Sequence, residues 1–213
     1  MASHEFYVTS QQLIKTSQDC IHDIIPTVYD IIYTLLLTSQ PCNYDEPSYA
    51  KSVNKLIQKY PTFNDFAIAN TPSRQISLCQ DPEQCTYGDS PWLRLLDVTY
   101  GRFASAIWLV PQIADISVCC GLKEDASEAQ IKLVATAIAS KYKYLKTDEV
   151  MLFLFNFKAG FYERFYSYFD PQTIIKSMSS FLQERTNIID EHDREMRKIK
   201  AEYEKNLLQL LKK

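Results

Sequence analysis

The chain from Pro171 to Lys213 contains no glycine and no further proline. Asp170-Pro171 is a typical helix start, because an aspartate side chain accepts hydrogen bonds from the first free N–H groups and proline fits the first helical position. At about 1.5 Å per residue, such a helix would extend for about 60 Å, which is longer than a compact domain of this size is wide. We therefore predict a long C-terminal helix that projects beyond the core.

Apolar residues recur along one face of this helix at steps that average close to 3.6 residues. This spacing predicts a nearly straight amphipathic helix rather than a left-handed supercoil. From Glu184 onward the other faces carry charges of both signs, which suits a helix in contact with water. The projecting part is predicted to bind a partner protein or a second copy of the chain. The proposed contact residues are Met196, Ile199, Tyr203, Leu207 and Leu210.

The rest of the chain is also predicted to be helical. Of the 213 residues of the whole chain, 46% are hydrophobic and only four are glycine, whereas a sheet protein with many tight turns normally contains more glycine. We therefore predict an all-α protein, an irregular multi-helix bundle. Helical periodicity predicts helices over residues 10–38 with a break at Pro26, 48–59, 91–108, 127–142 and 147–159. In the third of these, Ser90-Pro91 is the predicted start, Gly101 a weak point and Pro111 the terminator.

Residues 61–90 carry the weakest pattern in the chain. They contain three prolines among Asn, Asp, Thr and Ser, a composition typical of turns and short helices. We interpret them as an irregular connection between N-terminal helices (1–60) and a C-terminal helical module (91–213). The alternative is that residues 1–60 and the C-terminal module form one continuous domain.

The segment FKAGFYERFYSYFDP, residues 157–171, contains six aromatic rings between positions 161 and 169. Two interpretations are open. In one helical register, a stripe of rings packs inward and fastens a corner between two helices, with Gly160 ending the first and Asp170 starting the second. The stripe consists of Phe161, Phe165, Tyr168 and Phe169.

The second interpretation is a surface on which unpaired bases stack. Exposed aromatic rings flanked by cations are typical of proteins that bind single-stranded nucleic acid. In this segment the candidate residues are Lys158, Tyr162, Arg164 and Tyr166. The net charge of −3 argues against a protein whose whole surface binds nucleic acid, but it leaves room for a local site.

Signatures of catalysis and of metal binding are missing from the sequence. The three histidines are far apart, and no G-x-S-x-G, P-loop, G-x-G-x-x-G or C-x-x-C motif is present. We therefore predict a protein that is not an enzyme, with no catalytic residues, no cofactor and no metal.

The sequence also favours a cytoplasmic protein. No secretory signal is recognisable at the N-terminus. The most apolar stretch, residues 24–37, is interrupted by Pro26 and Asp30 and is shorter than the ~20 residues that span a bilayer. We expect no membrane contact.

One third of the chain carries a more specific pattern. Residues 157–166 read FK-x-G-x-Y-x-x-FY, and FL-x-ER follows at residues 181–185. With these motifs, the stretch from about Ser127 to Glu195 resembles a family of largely uncharacterised proteins of Bacteroidetes phages and mobile elements. Glu163 stands where family members often carry glycine. The resemblance implies a phage or mobile-element origin and hence the cytoplasm of a bacterial host cell, but no activity.

These observations favour a non-enzymatic helical interaction or adaptor protein of a phage or mobile element. By analogy of size and context with phage adaptors that deliver a replicative helicase to DNA, we link it to DNA replication. The alternatives are a single-stranded nucleic-acid-binding protein and a structural or cargo protein of the virion.

Overall fold

The computed structural model describes the backbone of residues 49–211 and the side chains of residues 49–205. Within this range the protein contains nine α-helices and no strand, apart from one isolated β-bridge between Trp92 and Lys146. The predicted all-α fold is therefore confirmed. The helices expected within residues 10–38 lie outside the described residues.

The helices follow the chain with short connections. Their bounds are α1 (Ala50–Lys59), α2 (Phe63–Ala69), a 3-10 turn (Pro72–Arg74), α3 (Gln75–Leu78), α4 (Pro82–Tyr87), α5 (Leu93–Tyr100), α6 (Ala104–Cys119), α7 (Glu128–Lys141), α8 (Thr147–Ala159) and α9 (Pro171–Leu211). Contacts divide the chain into two units, of which the first ends at Ser177 and the second begins at Met178. The assignment of residues 1–60, 61–90 and 91–213 to separate parts stays a prediction.

Helices α6 and α8 lie at the centre of the first unit. Helix α6 packs against α5, α7 and α8, while α8 also contacts the short helices α3 and α4. Most residues of both helices are buried, which agrees with their apolar character on all faces. The short helices α3 and α4 thus form one wall around α8.

Polar side chains attach this wall to the central helices. The two terminal guanidinium nitrogens of Arg74 each lie 3.1 Å from a carboxylate oxygen of Asp148 at the start of α8. The backbone carbonyl of Asn70 accepts hydrogen bonds from Trp108 Nε1 at 3.0 Å and from Gln112 Nε2 at 2.8 Å. Because these groups are buried or partly buried, the bonds satisfy atoms that would otherwise be costly to remove from water.

The predicted helix over residues 91–108 is wrong in three respects. Ser90 does not cap it, since Pro91 O accepts a hydrogen bond from Thr147 N–H and α5 begins only at Leu93. The helix breaks at Gly101, whose φ of 113° is disfavoured for other residues. A new helix, α6, begins at Ala104 and continues through Pro111 to Cys119.

Pro111 does not terminate α6, although an internal proline costs a helix ~3 kcal/mol or more. The residues on both sides of it, from Ala104 to Val110 and from Gln112 to Ala114, are buried. Packing of these side chains offsets the lost backbone hydrogen bond. Tertiary contacts therefore outweigh the local signal that predicted a stop.

Side chains cap the starts of α7 and α9. Ser127 and Gln130 form a capping box, in which each side chain accepts a hydrogen bond from the other's backbone N–H. The start predicted for α9 at Asp170-Pro171 is confirmed. Asp170 accepts a hydrogen bond from Gln172 N–H at 2.9 Å and another from Thr173 Oγ1 at 2.7 Å. The hydrogen bond from Thr173, with a smaller contribution from that of Gln172, lowers the pKa of the Asp170 carboxyl below its ordinary value. The long helix that follows has 41 residues without interruption.

Candidate functional site

The aromatic segment forms an irregular loop, residues 160–170, between α8 and α9. Gly160 ends α8 in the left-handed conformation with a φ of 82°, and its N–H points to the carbonyl oxygens of Asn156 and Phe157. The corner between two helices is therefore confirmed. The helical register assumed for the rings is wrong, because the loop contains no helical turn.

One set of rings packs inward from this aromatic loop. Tyr162 stacks on Phe153 of α8 with the ring centroids 5.7 Å apart. Phe165 lies 5.2 Å from Phe157 and 5.2 Å from Phe169, and Phe169 is only 4% exposed. This chain of ring contacts fastens the loop to α8.

A second set of rings points into water. Tyr166 is fully exposed, Phe161 is 72% exposed and Tyr168 is 58% exposed. The prediction that Phe161 and Tyr168 pack inward is therefore wrong. Without helical periodicity, residues three and four apart do not share a face, so the predicted stripe is divided between inside and outside.

The four residues proposed for nucleic-acid binding occupy different surroundings. Arg164 and Tyr166 are exposed, whereas Tyr162 is half-buried against Phe153. Lys158 lies within α8, and its Nζ is 2.5 Å from Asp115 Oδ2, with both side chains about 85% buried by their exposures of 14% and 15%. Of the four residues, Arg164 and Tyr166 are thus exposed on the surface. Lys158 instead forms an ion pair with Asp115.

The C-terminal helix shows a gradient of burial along its apolar seam. Ile174, Met178 and Phe181 are buried, with exposures of 0%, 0% and 4%. Farther along the same face of the helix, Arg185, Ile189 and His192 are half-buried. Beyond Asp193 every residue up to Lys205 is exposed.

Three exposed apolar residues continue the seam; we call Met196, Ile199 and Tyr203 the stripe. They are 51%, 60% and 68% exposed, and Asp193, Arg197 and Lys200 flank them. Of the five residues proposed for partner binding, these three have described side chains. Leu207 and Leu210 belong to α9 by their backbone, but their side chains lie outside the described range.

Residues 49–205 contain no cluster of three or more His, Cys, Asp or Glu side chains that would hold a metal ion. Burial raises the pKa of the Cys85 thiol to about 12, with the Asp148 carboxylate adding to this effect. Cys85 is therefore an unreactive thiol at neutral pH.

No helix within residues 49–205 is long and apolar enough to cross a membrane.

A cleft that the sequence did not reveal lies between α1 and the connection from α4 to α5. Its volume is about 400 Å³, and lysines and aromatic rings from separate segments line it. Lys59 comes from α1, Tyr87 and Trp92 from the connection, and Lys146 from the residue before α8. These residues are far apart in the sequence and follow no shared spacing, so only the tertiary fold brings them together.

The fold and its surfaces define an all-α protein with an exposed aromatic loop and a partly exposed terminal helix. A family model described as a family of unknown function (DUF6633) matches residues 126–205. The matched range contains both the aromatic loop and the stripe, and it overlaps the stretch in which the sequence resembled an uncharacterised family. The phage or mobile-element origin stays a prediction. No curated protein shows a significant match to the chain, and no solved structure does.

Proposed function

We propose that this protein is a non-enzymatic helical interaction protein that binds its partner through the stripe on α9. The observation that carries this proposal is the exposure of Met196, Ile199 and Tyr203 at the end of a helix face whose earlier residues are buried or half-buried. Their spacing of three and four residues places them on one face of the helix.

Folding alone gives little reason for these three apolar side chains. Single exposed apolar residues are common on protein surfaces, but an aligned set on a charged helix is typical of helices that enter a partner's groove or pair with another helix. Burial of such side chains stabilises a complex by about 25 cal/mol for each Å² of apolar surface removed from water. The flanking Asp193, Arg197 and Lys200 would then form a polar rim around the contact.

The setting that we propose is a phage or mobile element and its bacterial host cell, with a role in DNA replication. Support for the origin comes from the resemblance of residues 127–195. The replication role rests on the analogy with small helical adaptors, and the occupant of the stripe is a replication partner or a second copy of the chain.

Truncation after Asp190 tests this proposal. It removes the stripe but keeps the buried part of α9, so the first unit should stay folded. We expect the truncated chain to lose partners that the full chain captures from host lysate, or to lose a dimer seen by light scattering coupled to size exclusion. If neither the solution mass nor the captured proteins change, the proposal is contradicted.

A second candidate function, binding of single-stranded nucleic acid, is favoured by the exposed Tyr166 beside Arg164 in the aromatic loop. An exposed ring next to a cation suits stacking of an unpaired base. Fluorescence anisotropy with a labelled oligonucleotide should show binding that weakens with salt and with Tyr166→Ala or Arg164→Ala. Unchanged anisotropy at low salt would eliminate this candidate.

A further inference from the structure

The lysine-aromatic cleft has a wall that backbone hydrogen bonds hold in place. Residues 91–93 pair with residues 145–147 through the bonds Leu93 N–H to Leu145 O and Thr147 N–H to Pro91 O, both 2.9 Å long. The bridge between Trp92 and Lys146 belongs to this pairing. Lys146 Nζ then donates to the carbonyl oxygens of Thr86, at 2.5 Å, and Gly88, at 2.8 Å. The cleft is thus preformed, as ligand sites usually are.

The charges that line the cleft are mostly positive, in a chain whose net charge is −3. Lys55, Lys59 and Lys146 line it, together with one carboxylate, Asp89. Lys55 Nζ is 2.9 Å from Asp89 Oδ2, and both side chains are well exposed to water. The hydrogen bonds of Lys146 Nζ go to neutral carbonyl groups rather than to a carboxylate. Three lysines therefore stand against one carboxylate in the lining. This excess of cations favours an anionic ligand.

Aromatic rings supply the second half of the lining. Trp92 is 43% exposed and Tyr87 is 42% exposed, and Tyr60 adds a third ring. Large rings left partly in water beside cations favour a ligand with a flat π surface. The volume of about 400 Å³ falls within the ~300–1,000 Å³ of small-molecule sites.

We propose that this cleft binds a nucleotide unit, whose base stacks on Trp92 or Tyr87. Its phosphate contacts the lysines of the lining, which are Lys55, Lys59 and Lys146. The unit is either a free nucleoside monophosphate or one nucleotide of a single strand, since both present the same base and phosphate. This site shares no residue with the stripe or with the aromatic loop. Binding in the cleft therefore requires neither the stripe nor the aromatic loop.

The test is a titration of the full chain with deoxyadenosine 5′-monophosphate, followed by tryptophan fluorescence and by calorimetry. Trp108 is only 1% exposed, so quenching of emission reports on Trp92. We expect saturable binding, with deoxyadenosine weaker by about tenfold or more because it lacks the phosphate. A short deoxyadenylate oligonucleotide that binds about tenfold more tightly than the monophosphate identifies a single strand as the source, and equal affinity identifies the free nucleotide.

Variants that are expected to weaken or to tighten binding locate the site by calorimetry. Lys59→Gln should weaken binding about two- to fivefold, and Asp89→Asn should tighten it by a similar factor, because each changes one exposed charge. Trp92→Ala should weaken it by about tenfold. Lys51→Gln is the matched control, since Lys51 is an exposed lysine of the same helix that does not line the cleft. Tyr166→Ala, in the aromatic loop, should also leave the affinity for the monophosphate unchanged.

Four results would overturn the proposal. The first three are the absence of saturable binding by both the monophosphate and the oligonucleotide, equal effects of Lys59→Gln and Lys51→Gln, and weaker rather than tighter binding by Asp89→Asn. Binding that Tyr166→Ala abolishes while Trp92→Ala leaves it intact would place the ligand on the aromatic loop, and would overturn the proposal as well.

Discussion

Helix α6 and residues 190–205 of α9 are both regular helices, but their side chains meet opposite surroundings. In α6, 12 of 16 residues are buried, and the helix continues through Pro111. In residues 190–205 no residue is buried, and His192 alone is half-buried. Packing sustains the first helix in spite of its sequence, whereas the second depends on helix-forming residues.

Charge pairs are one source of that local support. Asp190 stands four residues before Arg194, and Asp193 stands four residues before Arg197, an order that stabilises an exposed helix by about 0.2–0.5 kcal/mol per pair. The apolar stripe contributes nothing comparable while it is in water. Folding therefore does not explain the stripe, which is the basis for assigning it to docking.

The largest predicted contrast is between two isoleucines. Ile113 in α6 is fully buried and Ile199 in the stripe is 60% exposed. Ile113→Ala should lower the free energy of unfolding by about 2–5 kcal/mol, because it removes buried methylene groups and leaves a cavity. Ile199→Ala should change it by less than about 0.5 kcal/mol. Urea unfolding monitored by circular dichroism measures both, and similar losses of stability in the two variants would contradict the difference in packing between α6 and the stripe.

A second contrast concerns two lysines. Lys158→Ala leaves the Asp115 carboxylate largely buried without its cation, so we expect a loss of about 2–3 kcal/mol. Lys198 is exposed, and Lys198→Ala should change stability by less than about 0.5 kcal/mol. If the two variants unfold at the same urea concentration, Lys158 is not the structural residue that its ion pair indicates.

The smallest effect is expected at the start of α9. Asp170→Ala should cost about 1 kcal/mol by removing the cap, whereas Asp170→Asn should cost less. The folded-state pKa of Asp170 is lowered, so its charge stabilises the protein above the ordinary value of 3.8, and this contribution disappears as the pH falls through the lowered pKa. Unfolding curves of the wild type and Asp170→Asn should therefore converge in acid. If the difference in stability between the wild type and Asp170→Asn widens in acid, Asp170 is not a charged cap of α9.

Local signals predicted much of the fold. The capping box at Ser127, the C-terminal Gly160 and the start at Asp170-Pro171 depend on residues within one or two turns, so the sequence contains all that determines them. The course of α5 and α6 depends instead on contacts with distant segments. The pairing of Pro91 with Thr147 and the burial around Pro111 are examples, and they account for the errors over residues 91–119.

The candidate sites were predictable to different degrees. The exposure of Met196, Ile199 and Tyr203 followed from the density of charge around them. The division of the aromatic loop did not, because residues without helical periodicity give no rule for which ring meets α8. The partner of Lys158 is equally invisible in sequence, since Asp115 lies on another helix.

Quantitative affinity capture tests the proposed docking most directly. The stripe variant carries glutamine at all three stripe positions, which keeps helix propensity while removing the apolar surface. A control variant carries glutamine on the opposite face of the same segment. Its positions are Arg194, Lys198 and Lys205.

Full chain, stripe variant and control are each tagged, co-expressed with an untagged copy of the chain in the proposed bacterial host, and compared by mass spectrometry of the captured proteins. We expect at least one protein, the untagged copy included, that the full chain and the control retain and that the stripe variant loses by about tenfold. Identical captured proteins from all three would contradict it.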